Sequence, residues 1–135
     1  MNSKRFKIYS DGGSRGNPGP AAIGAVVTDL DTNEVLEISD YIGETTNNQA
    51  EYKALIMALE KVKELGGVEI ECYLDSELVV KQLNGQYKVK DVGLGPLFIK
   101  IHNIRQGFKK IHFHHVPRSL NKEADRLVNE VLDNR

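Results

Sequence analysis

The sequence contains no tryptophan, one cysteine and four prolines among its 135 residues. Cys72 has no second cysteine with which to form an internal disulfide, and a zinc site built from several thiolates is excluded. No apolar run approaches the roughly 20 residues that a helix needs to cross a bilayer. No apolar segment follows the basic residues near Met1, as a secretory signal would require. We therefore expect a cytoplasmic protein that does not associate with a membrane.

The charges are nearly balanced, with 18 Lys and Arg against 19 Asp and Glu and a net charge of −1. Hydrophobic residues make up 40% and charged residues 27% of the chain, a balance typical of a globular protein. The length predicts one domain over residues 1–135. The overall charge argues neither for nor against a nucleic-acid partner.

The periodicity of apolar residues predicts an α/β fold in the order β-β-β-α-β-α-α-β-α. Alternation of apolar and polar residues predicts strands over 6–10, 21–30, 34–43, 68–74 and 109–116. Helical spacing predicts helices over 48–65, 76–85, 96–107 and 121–132. We expect a mixed five-stranded sheet, with its first three strands antiparallel and helices packed on its faces.

The stretch SDGGSRGNPGPAAIG places Asp11 at the end of an apolar strand and follows it with several glycines. A plain turn is one interpretation. The other is a site at which the backbone approaches a ligand closely, because glycine has no side chain to obstruct it.

Four acidic residues, Asp11, Glu51, Asp75 and Asp125, lie at predicted strand ends and helix starts. Taken singly, each has a structural explanation: an Asx turn for Asp11, a helix cap for Asp75, a capping box of Glu51 with Asn48, and a favourable helix dipole for Asp125. Together they suggest a cluster, because period-two alternation places Asp11 and Asp75 on corresponding faces of two strands. Clustered carboxylates repel one another unless a cation compensates them, and Mg²⁺ prefers such oxygen ligands.

These residues resemble the type 1 ribonucleases H. The matching segments are DGGSRGNPGPAAIG, TTNNQAEYKALIMALE, LDSELV and NKEAD, which occur in the family's order and extend over nearly the whole chain. The resemblance implies an RNase H-like fold. It also implies an endonuclease that cuts the RNA strand of RNA/DNA hybrids with two Mg²⁺ ions, with Mn²⁺ as a possible substitute, and leaves a 5′-phosphate and a 3′-hydroxyl.

The resemblance assigns roles to individual residues. The four acids would be the metal ligands. Contacts with the RNA strand would come from Gly12, Asn17, Asn48, Gln49 and Ser76, and contacts with the DNA strand or its phosphate from Thr46 and Asn47. The substrate would be the RNA/DNA hybrid, with no membrane and no obligate protein partner, and we expect a monomer.

Two segments depart from the family pattern. The loop before Asp125 is short, so the place of the family's histidine falls on His115, which the alternation puts in a strand as a core or edge residue. Arg118 is the competing candidate for assisting catalysis, although a guanidinium cannot act as a base. The basic protrusion that many members carry is reduced to Lys88 and Lys90, so we expect weaker, salt-dependent binding.

Two other functions stay open at this point. One is a non-catalytic module that binds hybrids, against which the presence of all four acids counts. The other is a nuclease of the same fold that acts on double-stranded RNA or another nucleic acid.

Overall fold

The computed structural model describes residues 4–135. Its strands are β1 (Arg5–Ser14), β2 (Gly19–Asp29), β3 (Val35–Thr45), β4 (Glu69–Leu74) and β5 (Lys110–His115). Its α-helices are α1 (Asn47–Glu64), α2 (Glu77–Leu83), α3 (Gly95–Arg105) and α4 (Lys122–Asp133), and a 3-10 turn spans Arg118–Leu120. The predicted order of elements is confirmed.

The strands form one sheet in the order β3-β2-β1-β4-β5. The first three strands are antiparallel neighbours, whereas β1 pairs with β4, and β4 with β5, in parallel. Helical crossovers separate the parallel strands along the chain, as parallel pairing requires. The predicted mixed five-stranded sheet is therefore confirmed.

Helix α1 covers one face of the sheet and supplies the centre of the main core. Its buried side chains include Tyr52, Leu55 and Leu59, which belong to the same cluster as Phe6 and Ile8 of β1. The helix ends in a Schellman motif, in which Gly66 has a φ of 84° and the N–H of Gly67 donates to the carbonyl of Val62 at 2.7 Å. The two glycines thus end the helix where the sequence predicts.

Helix α4 packs on the opposite face, over β1 and β2. Its Val128 and Leu132 form a small apolar cluster with Ala22. Gly24 permits the close approach, because a Cβ there would lie 2.8 Å from Cβ of Leu127 and 2.9 Å from the carbonyl oxygen of Ala124. None of the described helices is long and apolar enough to span a membrane.

Three of the structural explanations weighed for the single acids are wrong. Strand β1 continues through the first glycines to Ser14, because residues up to Ser14 pair with β2, so Asp11 lies in a strand and not in an Asx turn. Helix α1 is capped by Thr46, whose side chain accepts from the N–H of Gln49, and not by a capping box of Asn48 and Glu51. Ser76, not Asp75, caps α2.

A buried hydrogen bond between α1 and α2 yields a test of this packing. The hydroxyl of Tyr52 donates to Oε1 of Gln82 at 2.7 Å, and both residues are buried. We expect Tyr52→Phe to lower the free energy of unfolding by about 1–3 kcal/mol, because the buried acceptor loses its donor. Tyr87→Phe removes a hydroxyl from a side chain that is half exposed, and should change it by less than about 0.5 kcal/mol. Equal effects of both variants in urea denaturation would contradict this account.

Candidate active site

An open cleft lies where the carboxyl ends of β1 and β4 meet the start of α1. Its volume is about 490 Å³. The residues that line it come from β1, α1, the segment after β4, the turn before α4, and α4 itself: Asp11, Gly12, Gly13, Ser14, Arg15, Asn47, Asn48, Glu51, Asp75, Ser76, Arg118, Asp125, Val128, Asn129 and Leu132. All four predicted acids therefore line one cleft.

Three of these acids form a tight cluster. Asp11 of β1, Glu51 of α1 and Asp75 after β4 each offer a carboxylate oxygen, and these atoms lie within 4.8 Å of one another. The parallel pairing of β1 with β4 brings Asp11 and Asp75 side by side at the same edge of the sheet. The first turns of α1 bring Glu51 to them from the other face.

The electrostatics of the cluster are unfavourable without a cation. The pKa of Asp11 is raised from its ordinary 3.8 to about 7: burial is the largest cause, the close contact with the Glu51 carboxyl acts in the opposite direction, and the charges of Asp75 and Asp125 add to the rise. Burial also raises the pKa of Glu51 well above its ordinary value, and the close contact and repulsion with the Asp11 carboxyl act in the same direction. The two carboxyls therefore hold a proton more readily than isolated acids do.

Glu51 is held by one oxygen and leaves the other available. Its Oε1 accepts from the backbone N–H of Gly12 at 2.8 Å. Its Oε2 is buried and has no hydrogen-bond partner among the described residues. A buried carboxylate oxygen without a partner is costly unless a cation or a donor reaches it. The donor set, all carboxylate oxygen, fits a hard divalent metal such as Mg²⁺.

The fourth acid, Asp125, lies in the first turn of α4 beside Arg118. The guanidinium Nη2 of Arg118 is 3.7 Å from Oδ1 of Asp125, and 81% of the arginine side chain is exposed. His115 is exposed at the end of β5 and does not line the cleft. The structure thus brings Arg118 close to the acids. His115 is an exposed residue of the edge strand β5, which agrees with the edge alternative for that histidine and not with the core alternative.

Asparagine side chains tie the loop after β1 to the start of α1. Oδ1 of Asn47 accepts from the N–H of Ser14 at 2.8 Å and from its hydroxyl at 3.1 Å. Oδ1 of Asn17 accepts from the N–H of Asn47 at 3.0 Å. Thr46 caps the helix just before them. These bonds hold the two segments that flank the acids in a fixed relation.

The other residues assigned to substrate binding divide into two groups. Gly12, Asn48 and Ser76 line the cleft next to the acids. Gln49 lies beside it and accepts from the hydroxyl of Thr45 at 2.7 Å. Its side-chain amide nitrogen also lies close to Gly93, because a Cβ at Gly93 would be only 2.5 Å away. Gln49 is therefore oriented by its neighbours on both sides.

Comparison with known proteins gives concordant results. A family model described as reverse transcriptase-like matches residues 9–131. The ribonuclease HI of Halobacterium salinarum is 47% identical over 129 residues, which cover 96% of this chain and 65% of that protein. Its crystal structure superimposes with a TM-score of 0.93 at 46% identity and covers 97% of this chain and 99% of the other. This chain belongs to the type 1 ribonuclease H family.

Other relatives include a longer protein and a protein crystallised with nucleic acid. The bifunctional protein Rv2228c of Mycobacterium tuberculosis is 46% identical over 127 residues, so the chain covers 35% of that protein. LC11-RNase H1, isolated from compost by a metagenomic approach, was crystallised with an RNA/DNA hybrid. That structure has a TM-score of 0.89 at 50% identity and covers 96% of this chain and 97% of the other. This chain thus covers 35% of the length of Rv2228c and 65% of the length of the Halobacterium protein.

Sequence reasoning missed Asn121, a buried residue next to the acidic cleft. Its side-chain amide donates to the carbonyl of Ser10 at 2.9 Å and to Oδ2 of Asp75 at 3.2 Å. It therefore orients one of the clustered acids. The position of Asn121 just before α4 predicts a helix cap, and the local sequence gives no sign that its side chain points inward. In the structure the Asn121 side chain makes no capping hydrogen bond.

The raised pKa of Asp11 predicts a pH-dependent cost to stability. The pKa is about 7 in the folded state and 3.8 ordinarily, so the folded protein binds more protons than the unfolded chain between those values. Stability of the metal-free protein should therefore fall as pH rises through this window. Asp11→Asn removes the titrating group and should raise the free energy of unfolding by a few kcal/mol at pH 8 but little near pH 4.

Thermal denaturation in EDTA across this range measures the effect. Asp40→Asn, which changes an exposed carboxylate on β3 and leaves Asp11 in place, is the matched control, and its stability should vary with pH as that of the wild type does. An Asp11→Asn protein no more stable than the wild type at pH 8 would contradict the electrostatic account.

Proposed function

We propose that this domain hydrolyses the RNA strand of RNA/DNA hybrids as an endonuclease with two divalent metal ions, leaving 5′-phosphate and 3′-hydroxyl ends. The observation that carries the proposal is the cluster of Asp11, Glu51 and Asp75, with carboxylate oxygens within 4.8 Å of one another. It lies in an open cleft of about 490 Å³. One chain, over residues 1–135 as a single catalytic domain, supplies every acid that the reaction needs.

The relatives support this substrate. They include proteins named ribonuclease HI and ribonuclease H, and LC11-RNase H1 was crystallised with an RNA/DNA hybrid. That domain is 50% identical to this chain over nearly the full length of both. The proposal concerns the domain, because several relatives are much longer than this chain.

The residues that would hold the metal are Asp11, Glu51, Asp75 and Asp125. Oxygen donors favour Mg²⁺, and Mn²⁺ can take the same ligands. When bound, such ions supply positive charge that lowers the pKa of an attacking water and stabilises the departing 3′ oxygen. The unpartnered Oε2 of Glu51 and the raised pKa of Asp11 support a cation site there, because a cation would relieve both.

The chain's own groups keep the acids in place. The N–H of Gly12 holds Glu51, and the amide of Asn121 holds Asp75. These contacts come from backbone and buried side chains, so little reorganisation is needed when substrate arrives. Positioning and charge, not covalent chemistry, are what this protein contributes to phosphodiester hydrolysis.

Recognition of the RNA strand is assigned to polar groups beside the acids. A-form-like hybrids expose 2′-hydroxyls in a wide, shallow minor groove, where amides and hydroxyls can both donate and accept. Asn48, Ser76 and the backbone at Gly12 line the cleft, with Gln49 and Asn17 next to them. Thr46 and Asn47, at the N-terminus of α1, would contact the DNA strand or its phosphate, because helix N-termini attract anions.

The affinity of the domain for the hybrid should be modest and should fall as the salt concentration rises. The segment between α2 and α3 carries exposed Lys88 and Lys90 in place of a larger basic protrusion. Few phosphate contacts release few counterions, so the affinity gained from electrostatics is limited.

A panel of duplexes tests the proposed reaction. End-labelled RNA/DNA, RNA/RNA and DNA/DNA duplexes are incubated in Mg²⁺ and in Mn²⁺ with the wild type and with Asp11→Asn. We expect internal cuts only in the RNA strand of the hybrid, and none with the variant, because it loses a charge that the metal requires. Asp40→Asn should cut like the wild type.

Each contrary pattern has a definite meaning. Cleavage of RNA/RNA would widen the substrate to double-stranded RNA. Tight binding of the hybrid with no cut in any duplex would replace the enzyme by a binding module. Cleavage by Asp11→Asn at the wild-type rate would refute the proposed metal ligands.

Arg118 is the side chain that we assign to the phosphate or the departing product. It is a fixed positive charge 3.7 Å from Asp125 in the cleft, whereas His115 lies outside it. We expect Arg118→Ala to lower kcat by roughly ten- to a hundredfold, because a donor to developing negative charge is lost. Arg118→Lys should recover part of the rate, since the charge remains. A larger loss of kcat from His115→Ala than from Arg118→Ala would reverse this assignment.

A further inference from the structure

A cluster of two histidines and one glutamate lies on the sheet face that carries Asp11, farther back along the strands. It consists of Glu71 on β4 and His112 and His114 on β5, which we name the Glu71 cluster. Nδ1 of His112 is 2.9 Å from Oε2 of Glu71, and Nε2 of His114 is 2.6 Å from Oε1. Each carboxylate oxygen is thus paired with one imidazole, and the cluster joins the edge strand to its neighbour.

We propose that the Glu71 cluster binds a divalent transition-metal ion of the Zn²⁺ class. Two imidazoles and one carboxylate, with a fourth position left to water, form a ligand set that this class accepts in proteins. Nitrogen ligands select such ions over Mg²⁺, which prefers oxygen. The site is separate from the acidic cleft, because Glu71 precedes Asp75 by four strand positions, about 13 Å.

Strand geometry makes the three ligands converge. His112 and His114 are two residues apart on β5, so both side chains stand on the same face. Glu71 is the direct register partner of His112 and the diagonal neighbour of His114. The three positions therefore stay together without any loop, which gives the site a rigid base.

The aromatic row beside the cluster orients one ligand. The ring of Tyr73 stacks on His114 with centroids 5.1 Å apart, and Tyr9 stacks on Tyr73 at 4.8 Å. Lys7, the register partner of Glu71 on β1, has its ammonium 5.9 Å from the Tyr9 centroid. The ammonium of Lys7 is therefore directed to Tyr9, and the carboxylate of Glu71 pairs with the two imidazoles.

Small side-chain movements suffice to close the site around an ion. The two imidazole centroids are 6.2 Å apart. If one nitrogen of each ring bound the same tetrahedral ion at about 2.0–2.1 Å, the two ring centroids would lie roughly 5 Å apart. The side chains of His112 and His114 are 57% and 44% exposed, so they are free to approach and an ion can reach them.

The protonation state of the cluster is compatible with metal binding. Partial burial raises the pKa of Glu71, but the hydrogen bonds from His114 and His112 outweigh burial and lower it, so the carboxylate is ionised. An ionised carboxylate only accepts, so the facing ring nitrogens carry the protons. In a neutral imidazole that proton moves to the outer nitrogen when the inner one ligates a metal, which leaves the proton count unchanged.

Calorimetric titration of Zn²⁺ into the full chain, in a large excess of Mg²⁺ to occupy the acidic cleft, tests the proposal. We expect one saturable Zn²⁺ per chain. His112→Ala, His114→Ala and Glu71→Gln should each weaken binding by at least about tenfold, since even the loss of a group that only supports a ligand costs that much. His102→Ala, at an exposed histidine on α3, is the matched control and should bind like the wild type.

Two further measurements locate the ion and guard against misfolding. Zn²⁺ should raise the Tm of the wild type but not that of the His112→Ala/His114→Ala double variant, and metal-free melting curves show whether the variants fold. Asp11→Asn should retain the Zn²⁺ site. No saturable binding by the folded wild type would overturn the proposal. So would binding lost in Asp11→Asn but kept in His114→Ala, which would assign the ion to the acidic cleft.

Discussion

The contact between α1 and β1 at Gly12 is the constraint on which the site depends. A Cβ at Gly12 would lie 2.2 Å from the carbonyl oxygen of Ala50, so only glycine lets the helix approach the strand this closely. At that separation the N–H of Gly12 reaches Oε1 of Glu51. A larger residue would push α1 away from the sheet, and Glu51 would leave Asp11 and Asp75. The absence of a side chain at Gly12 is therefore required both for the packing of α1 on β1 and for the position of Glu51 beside the other acids.

The acidic cleft is built at a cost to the fold. Asp11 and Glu51 are both buried, close to each other and to Asp75, and burial and repulsion raise the pKa of each of the first two. The surrounding apolar core offsets this cost without removing it. This combination is typical of functional sites, in which the stability of the core holds together like charges that repel one another until a ligand binds.

The two faces of the sheet have different roles. One face is apolar and is covered by α1, which supplies the centre of the main core. The other is covered by α4 over β1 and β2, and beside the helix it carries polar rows: the acids at the carboxyl ends of the strands, and the Glu71 cluster farther back. Neighbouring residues along β1, β4 and β5 point to opposite sides of the sheet, so the apolar core side chains and the polar rows stay on separate faces.

The sequence by itself determined the order of the elements, the mixed sheet and the end of α1 at Gly66, because periodicity and helix stop signals are local properties. Through its resemblance to a family, it also named the four acids that line the cleft. Tertiary structure decided the rest. Pairing with β2 carried β1 through glycines that locally favour a turn, Thr46 became the cap of α1, and Asn121 turned inward to Asp75. Arg118 reached Asp125 while His115 stayed outside the cleft, because the path of a short loop depends on the elements that it joins and not on spacing along the chain.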